Sequence, residues 1–220
     1  MTFMIDGCSF DFIMSLGGSC ATAKQLSFCG LRQRSLPFDW LFHLNNQTLD
    51  YLIEGFSNGF DHWMFINDMR PLEEGERGNS NCFQYHDNAT GYNTIHDFHN
   101  EIHNLSEYDS VKQKYKRRFD RLEHYLSKAH TALFVLDARY DVDILKLKKI
   151  KNVVESKHPD LVLSILLMQF ISVKEDMYEA DGIKVIKYTR NHTIDDYNGS
   201  PKEWDVLKTI SINNISFFSE

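Results

Sequence analysis

One cysteine near the start of the chain stands in a setting that suits nucleophilic chemistry. Cys20 lies in the stretch SLGGSCATA, residues 15–23, where an apolar run ends in two glycines and a serine. The pattern predicts a buried strand over residues 10–16 and a helix over residues 21–28, with Cys20 at the turn between them. The amino end of a helix carries a partial positive charge, which favours a thiolate over a thiol. The turn therefore makes Cys20 a candidate nucleophile.

The same turn predicts the groups that would bind a developing oxyanion. Gly18 lets the backbone approach a ligand closely, and Ser19 is placed to cap the helix. Backbone N–H groups of residues 18–21 are therefore candidate oxyanion donors. A free cysteine is also a common small residue of a buried turn, so position alone leaves the nucleophile and the structural residue as equal alternatives. A phosphate-binding loop is disfavoured, because the stretch matches neither glycine-rich phosphate motif.

A cysteine nucleophile needs a base, which in proteins is usually a histidine. Two of the ten histidines lie where they could serve. His192 follows the last predicted strand, on the same sheet edge as Cys20, and topology alone favours it. His96 ends the second strand of a predicted hairpin and is followed by Asp97. The alternative for either residue is that it is a histidine of a surface loop with no catalytic role.

Two further charged residues are candidate binding groups of the site. Arg139 directly follows a predicted strand, and the carboxyl ends of parallel strands face the working crevice, so we predict that Arg139 anchors substrate. Asp39, in the stretch PFDW, is either an orienting carboxylate beside the nucleophile's helix or the cap of the next element. The nearby His43, Asp61 and His62 do not match a metal triad. We therefore predict neither a metal nor a cofactor.

Hydrophobic periodicity indicates the scaffold that must position these residues. The clearest helix carries one apolar stripe over residues 111–126. Further helices are predicted over residues 21–28, 46–56, 143–157 and 201–210, strands over 10–16, 131–136, 161–167 and 183–188, and a hairpin over 82–86 and 92–96. Near-continuous apolar strands separated by helices are typical of a parallel sheet that is buried on both faces. We predict an α/β fold: a single domain over residues 1–220, with a mostly parallel sheet covered by helices and an inserted β-hairpin.

Composition limits the partners and the compartment. The 220-residue chain has a net charge of −7 and no apolar run of membrane-spanning length, so we expect neither nucleic-acid binding nor membrane insertion. No lysine or arginine precedes Lys24, which argues against a secretion signal. None of the four cysteines forms a C-x-x-C pair, which disfavours a zinc site. We expect reduced thiols and a cytoplasmic location.

Five stretches of the chain, taken together and in this order, form a set of motifs that is more specific than any one of them alone. They are FIMSLGGSCATAKQL, GLRQRSLPFDWL, HDF at residues 96–98, KYKRRFDRLEHYL followed by TALFVL, and SPKEWDVL. The set resembles a bacterial family of unknown function described as papain-like cysteine peptidases, and the resemblance spans most of the chain. It implies Cys20 as the nucleophile, His96 as its base and Asp97 or another carboxylate as the orienting group, in Cys–His chemistry of the papain type. The resemblance shifts the choice of base from His192 to His96.

Three functions follow from these residues. The first is a cysteine hydrolase, of peptidase or acyl-transfer type, acting on a peptide, acyl or glycan-type substrate. The second is a non-catalytic protein of a surface-polysaccharide pathway that binds an anionic sugar or nucleotide in the same crevice. The third is a serine esterase with Ser19 as nucleophile, because GGSC after a first strand also resembles the nucleophile turn of SGNH-type esterases. That family has an Asp three residues before its catalytic His, whereas here His192 comes three residues before Asp195, which disfavours a serine esterase.

Overall fold

The computed structural model describes residues 5, 7–43, 45–73, 82–99, 105–172, 176–189 and 204–213. Within these ranges the helices are α1 (Cys20–Phe28), α2 (Gln47–Asn58), α3 (Tyr108–Leu126) and α4 (Ile144–Lys157). The strands are β1 (Ser9–Phe10), β2 (Phe12–Ser15), β3 (Leu41–His43), β4 (Met69–Pro71), β5 (Phe83–Asp87), β6 (Tyr92–Phe98), β7 (Thr131–Ala138), β8 (Val162–Ser172), β9 (Asp176–Ala180), β10 (Ile183–Thr189) and β11 (Ser211–Ile212). Short 3-10 helices lie at Ile66–Asp68 and Asp205–Thr209.

The largest sheet has five strands in the order β2-β7-β8-β10-β9. The pairs β2–β7, β7–β8 and β8–β10 are parallel, and β9 pairs antiparallel with β10. The parallel strands are the four that the sequence predicted, although the first predicted strand is divided into β1 and β2. The edge strand β9 was not predicted. The carboxyl ends of β2 and β7 lie side by side, which places the turn after β2 beside the end of β7.

The middle of the chain forms a second, antiparallel sheet in the order β3-β6-β5-β4. The predicted hairpin is its centre, and the short strands β3 and β4 pair along its two edges. The prediction of a mostly parallel sheet with only an inserted hairpin is therefore too narrow. The fold is mixed α/β with several sheets, because two strands of three residues each, too short to show a period, extend the hairpin by long-range pairing.

The parallel sheet is buried on both of its faces. Alternate residues of β7 point to opposite sides: Phe134 and Leu136 belong to one apolar cluster, and Leu133 and Val135 to another. The first cluster also contains residues of α2, α3, α4 and the antiparallel sheet, and the second contains residues of α1 and the segment Asp205–Thr209. This two-sided burial explains why the central strands are apolar almost throughout, as the sequence indicated.

The helix ends follow their capping residues. Ser19 caps α1 by accepting a hydrogen bond from the Ala21 N–H, and Asp143 caps α4 by accepting one from the Leu145 N–H. The helix predicted over residues 201–210 is a short 3-10 turn where it is described, and residues 201–203 lie outside the described part. No helix within the described ranges is both long enough and apolar enough to cross a membrane.

Candidate active site

The turn between β2 and α1 contains two glycines whose conformation and packing both require glycine. Gly17 and Gly18 have φ angles of 91° and 97°, which L side chains rarely adopt. A Cβ atom on Gly18 would lie 1.6 Å from the carbonyl oxygen of Asp137 in β7, and one on Gly17 would lie 3.3 Å from the carbonyl oxygen of Phe38. The turn therefore packs directly on the end of β7, which fixes the position of the residues that follow it.

Ser19, a predicted oxyanion residue, is held by a buried carboxylate. Its hydroxyl donates a 2.6 Å hydrogen bond to Asp137 Oδ2 and accepts one of 3.2 Å from the Ala21 N–H. Among the described residues the hydroxyl contacts no histidine, which disfavours a serine nucleophile. The N–H groups at the start of a helix have no helical carbonyl oxygen to bind, so the turn presents donors of the kind that an oxyanion needs, and one of them, the Cys20 N–H, contacts its own thiol.

Cys20 is the first residue of α1, and only 5% of its surface is exposed. Burial raises the pKa of the Cys20 thiol, while the charges of Lys24 and Arg139 lower it and Asp137 raises it further. This direction is opposite to the prediction made from the helix end. The loss of hydration around a buried thiolate raises the pKa by more than the charges of the neighbouring cations lower it. Cys20 is therefore a neutral thiol at neutral pH and must lose its proton during any reaction.

Two other segments pack against the turn that leads into Cys20. The Tyr92 hydroxyl, from β6, donates a 3.2 Å hydrogen bond to the carbonyl oxygen of Leu16. A Cβ on Gly17 would also lie 3.4 Å from the Tyr92 ring and 3.4 Å from the carbonyl oxygen of Leu41. The strand that carries His96 and the start of β3 thus both pack on the turn that leads into Cys20.

His96 lies in an irregular part of β6. The register of the β5–β6 pairing shifts there, so that residues 95–97 lie opposite the single residue Gln84. Bulges of this kind reorient side chains and are common beside active sites. The half-buried His96 ring packs edge-on against Trp40, with ring centroids 5.9 Å apart. Its Nε2 atom is buried and has no hydrogen-bond partner among the described residues.

The charge state of His96 suits a base. Burial lowers the pKa of the ring, the charge of Asp97 raises it, and Lys24 and His99 lower it. A lowered pKa keeps the imidazole neutral at neutral pH, and the neutral ring is the form that accepts a proton.

Lys24 links the two candidate catalytic residues. It lies four residues after Cys20 on α1, and residues at that spacing are neighbours on a helix surface. Its charge lowers the pKa of both the Cys20 thiol and the His96 ring. Cys20 and His96 are therefore within electrostatic reach of the same side chain. Within the described residues no hydrogen bond joins the thiol to the ring.

Asp97, predicted to orient His96, is bound to a different element. Its carboxylate accepts a 2.7 Å hydrogen bond from the Tyr115 hydroxyl and forms a 2.6 Å ion pair with Lys114. Both partners lie on α3, whereas the His96 ring packs on Trp40. Asp97 therefore fastens α3 to β6, and the influence on His96 that it has in the described structure is that of its charge.

Tyr115→Phe tests the structural assignment of Asp97. The variant removes the hydroxyl that Asp97 binds but keeps the fully buried ring. We expect the free energy of unfolding, measured by urea denaturation, to fall by about 1.5–3 kcal/mol, as for a hydrogen bond to a charged group. The rate of Cys20 alkylation should not change. A large loss of Cys20 reactivity with little loss of stability would instead identify Asp97 as the orienting group of His96.

Asp39, like Asp97, is bound by residues that have a structural role. Its Oδ2 atom accepts hydrogen bonds from Arg32 Nε at 3.0 Å, Arg32 Nη2 at 2.8 Å and the Leu36 N–H at 2.8 Å. Burial raises the pKa of Asp39, and the Arg32 charge opposes that shift. The Arg32 guanidinium lies 5.5 Å from the centre of the Trp40 ring, which packs on His96. Asp39 thus acts at a distance from the site, by holding the loop that supports the His96 ring.

Two further residues were predicted for the site, Arg139 and His192, and only Arg139 lies among the described residues. Arg139 follows β7 directly, is exposed, and lies within electrostatic reach of the Cys20 thiol. His192 lies outside the described residues. Over the described ranges no group of three or more metal-ligating side chains lies together, and the prediction of no metal stays a prediction.

A second thiol–imidazole contact lies at the open end of the β5–β6 hairpin. Cys82 Sγ is 3.1 Å from His99 Nδ1, with Cys82 half-buried and His99 exposed. Sequence reasoning did not pair these residues, because each lies just outside a strand of the hairpin and only the antiparallel pairing brings them together. Cys82 is therefore a second thiol that reagents can reach, and labelling experiments must resolve the individual cysteines.

Sequence reasoning also did not select Lys24 or Tyr92. Lys24 carried a usable signal, its spacing of four residues from Cys20 on a predicted helix. Tyr92 carried none, because its hydrogen bond to Leu16 joins segments 76 residues apart.

Comparisons with known proteins show the family of the chain. A family model described as "Putative papain-like cysteine peptidase (DUF1796)" matches residues 11–172, which include the β2–α1 turn and the β5–β6 hairpin. An uncharacterised protein of Acanthamoeba polyphaga mimivirus is 30% identical over 137 residues, 56% of this chain and 60% of the relative. The chain thus spans less than two thirds of that relative's length, and the viral source gives no support to the bacterial origin that the resemblance implied. No solved structure matches. Because this family model covers residues 11–172, most of the chain, the chain belongs to the family that carries the description "Putative papain-like cysteine peptidase (DUF1796)".

Proposed function

We propose that the chain is a cysteine hydrolase, of peptidase or acyl-transfer type, with Cys20 as nucleophile and His96 as general base. Family membership supports the reaction class. The observation that carries the choice of base is the buried Nε2 atom of His96, which has no hydrogen-bond partner among the described residues. Such an atom costs free energy in the folded state, and a catalytic role is one explanation of why it is retained. The Tyr92–Leu16 hydrogen bond, which ties the same strand to the Cys20 turn, adds support.

The pKa directions favour a neutral pair over a preformed thiolate–imidazolium pair. In the first step the Cys20 sulfur attacks the substrate carbonyl carbon while its proton passes to His96 Nε2. Backbone N–H groups at the start of α1 stabilise the oxyanion. His96 then gives the proton to the leaving group as the bond between that group and the carbonyl carbon breaks. Water hydrolyses the resulting thioester, again with His96 as the base.

The pH dependence of Cys20 alkylation tests this protonation state. Because burial raises the pKa of the thiol, the thiolate fraction should be small at neutral pH and should grow into the alkaline range. We expect the rate constant for iodoacetamide, measured by mass spectrometry of the Cys20 peptide, to rise steadily from about pH 7 upward. An ion pair would instead give a plateau that begins near pH 5 or below. A plateau of that kind would contradict the neutral pair.

A non-catalytic role for the same crevice has one observation in its favour, the raised pKa of a buried thiol that makes no hydrogen bond to a described histidine. In that case the protein binds an anionic sugar or nucleotide, as a member of a surface-polysaccharide pathway. Cys20 would then react slowly with iodoacetamide, and His96→Gln would leave its rate unchanged. Dependence of the Cys20 rate on His96 distinguishes the hydrolase from the binding protein.

A further inference from the structure

Two cations beside Cys20, Lys24 and Arg139, have no partner among the residues that the structure describes. Lys24 is half-buried and Arg139 is exposed, and neither forms an ion pair or hydrogen bond with a described residue. Elsewhere many lysines and arginines are paired with carboxylates, in Arg32–Asp39, Lys114–Asp97, Lys116–Asp120, Lys146–Asp50, Lys148–Asp181, Lys151–Glu155, Lys157–Glu123 and Lys208–Asp205. Carboxylates are abundant in a chain with a net charge of −7, yet none of the described ones binds these two cations.

The fold brings the two cations to the same thiol from different elements. Side chains on a helix lean toward its amino end, so Lys24 extends back toward Cys20, one turn earlier on α1. Arg139 is the first residue after β7. It lies two residues beyond Asp137, whose carboxylate holds Ser19, the residue before Cys20. Both charges act on the Cys20 thiol in the same direction.

Two described carboxylates act on the charges of Cys20 and His96, those of Asp137 and Asp97. Asp137 accepts the Ser19 hydroxyl, and Asp97 accepts the Tyr115 hydroxyl and pairs with Lys114. A hydrogen bond from a hydroxyl does not neutralise Asp137, but the two positive charges of Lys24 and Arg139 exceed its single negative charge, which leaves a local positive charge around Cys20 in an acidic protein. A positive region in a cleft raises the local concentration of anions and steers them toward it. A bound anion would supply the counter-charge that no described side chain provides.

We propose that the substrate of the Cys20 site is an acyl compound carrying an oxyanion group, carboxylate or phosphate, close to the carbonyl carbon, and that Arg139 and Lys24 bind this group. The inference rests on the proposed function, since it names the substrate class of the same site. Arg139 is the stronger candidate for recognition, because a guanidinium matches the geometry of a carboxylate or phosphate with two parallel hydrogen bonds. Lys24 adds a point charge one helical turn from Cys20.

Paired alkylating agents test the proposal without a known substrate. Iodoacetate and iodoacetamide form the same S–C bond and release iodide, but only iodoacetate carries a carboxylate. The ratio of their rate constants at Cys20, divided by the same ratio at half-buried Cys8, isolates the effect of charge. We expect this normalised ratio to be about three- to tenfold above one at low salt, and to fall as salt is added.

Charge variants give the decisive comparison. Arg139→Gln and Lys24→Gln should each move the normalised ratio toward one. Lys149→Gln and Arg117→Gln remove exposed cations from α4 and α3, outside the site, and should leave it unchanged. Protection of Cys20 by succinate but not by inorganic phosphate, at equal ionic strength, would identify a carboxylate substrate, and the reverse a phosphate one.

Failure of the inference and failure of the proposed function give different results. If Cys20 reacts in a His96-dependent manner but its normalised ratio is one, or is insensitive to Arg139→Gln, the hydrolase stands and the anionic substrate is wrong. If the ratio responds to Arg139→Gln but His96→Gln leaves the Cys20 rate unchanged, the anion site stands and the hydrolase proposal is wrong.

Discussion

Gly18→Ala should reduce the free energy of unfolding by more than about 4 kcal/mol, or prevent folding altogether. The φ angle of 97° alone disfavours a side chain. In addition, the new Cβ would lie 1.6 Å from the Asp137 carbonyl oxygen and 2.7 Å from its carbonyl carbon. Both are backbone atoms of β7, so no side-chain rotation can relieve the contact. Relief would require the turn to separate from β7, which would also break the buried Ser19–Asp137 hydrogen bond.

Gly30→Ala is the matched control for Gly18→Ala. Gly30 follows α1, has a φ angle of 70°, and would present a Cβ to open space, with no atom within 4 Å. Its replacement therefore measures the conformational cost without the clash, and we expect a loss of about 1–2 kcal/mol. Urea denaturation of both variants, or their soluble yield and melting temperature, makes the comparison. Equal losses would show that the contact with Asp137 does not constrain the turn.

Cys20→Ala should abolish turnover, and His96→Gln should lower it about 10²–10⁴-fold. The assay is hydrolysis of the member of a panel of peptide amides, esters and thioesters that the natural sequence hydrolyses fastest. Alanine removes the sulfur that forms the acyl intermediate. Glutamine keeps a polar side chain at position 96 but cannot take the thiol proton. The two effects should not add, because the base has no function once the nucleophile is gone.

Cys82→Ser and His99→Gln are the matched controls, since they exchange the other thiol and imidazole that lie in contact, 3.1 Å apart. We expect both to retain turnover, and Cys82→Ser to remove the background of alkylation that does not come from the site. Loss of turnover in these two variants, with retention in Cys20→Ala, would move the active site to the open end of the β5–β6 hairpin.

Local patterns in the sequence were sufficient for much of the scaffold. The apolar stripe of α3, the capped start of α4 and the apolar runs of β7 and β8 each follow from residues within one element. The Ser19 cap and the turn before Cys20 are local in the same sense, because hydrogen bonds between near neighbours determine them. Such features depend on spacing and residue type, which a single sequence displays.

Other features were decided by contacts between distant segments. The hairpin is extended by β3 and β4 through long-range pairing, and two strands of three residues are too short to show a pattern that would predict it. Asp97 follows His96 in the chain, but because α3 packs on β6, the Asp97 carboxylate binds Tyr115 and Lys114. Asp39, open between two roles in the sequence, was assigned by its contact with Arg32.

The sequence by itself determined where the candidate nucleophile Cys20 stands: after a glycine turn and at the start of a helix, which begins at Cys20, one residue earlier than predicted. Only the tertiary structure decided the protonation state of that residue. A helix end is a short-range effect that is visible in the order of residues, whereas the desolvation that raises the pKa of the Cys20 thiol comes from everything packed around it. The same holds for His96, whose lowered pKa and buried Nε2 atom result from the packing of β6 against the loop that carries Trp40.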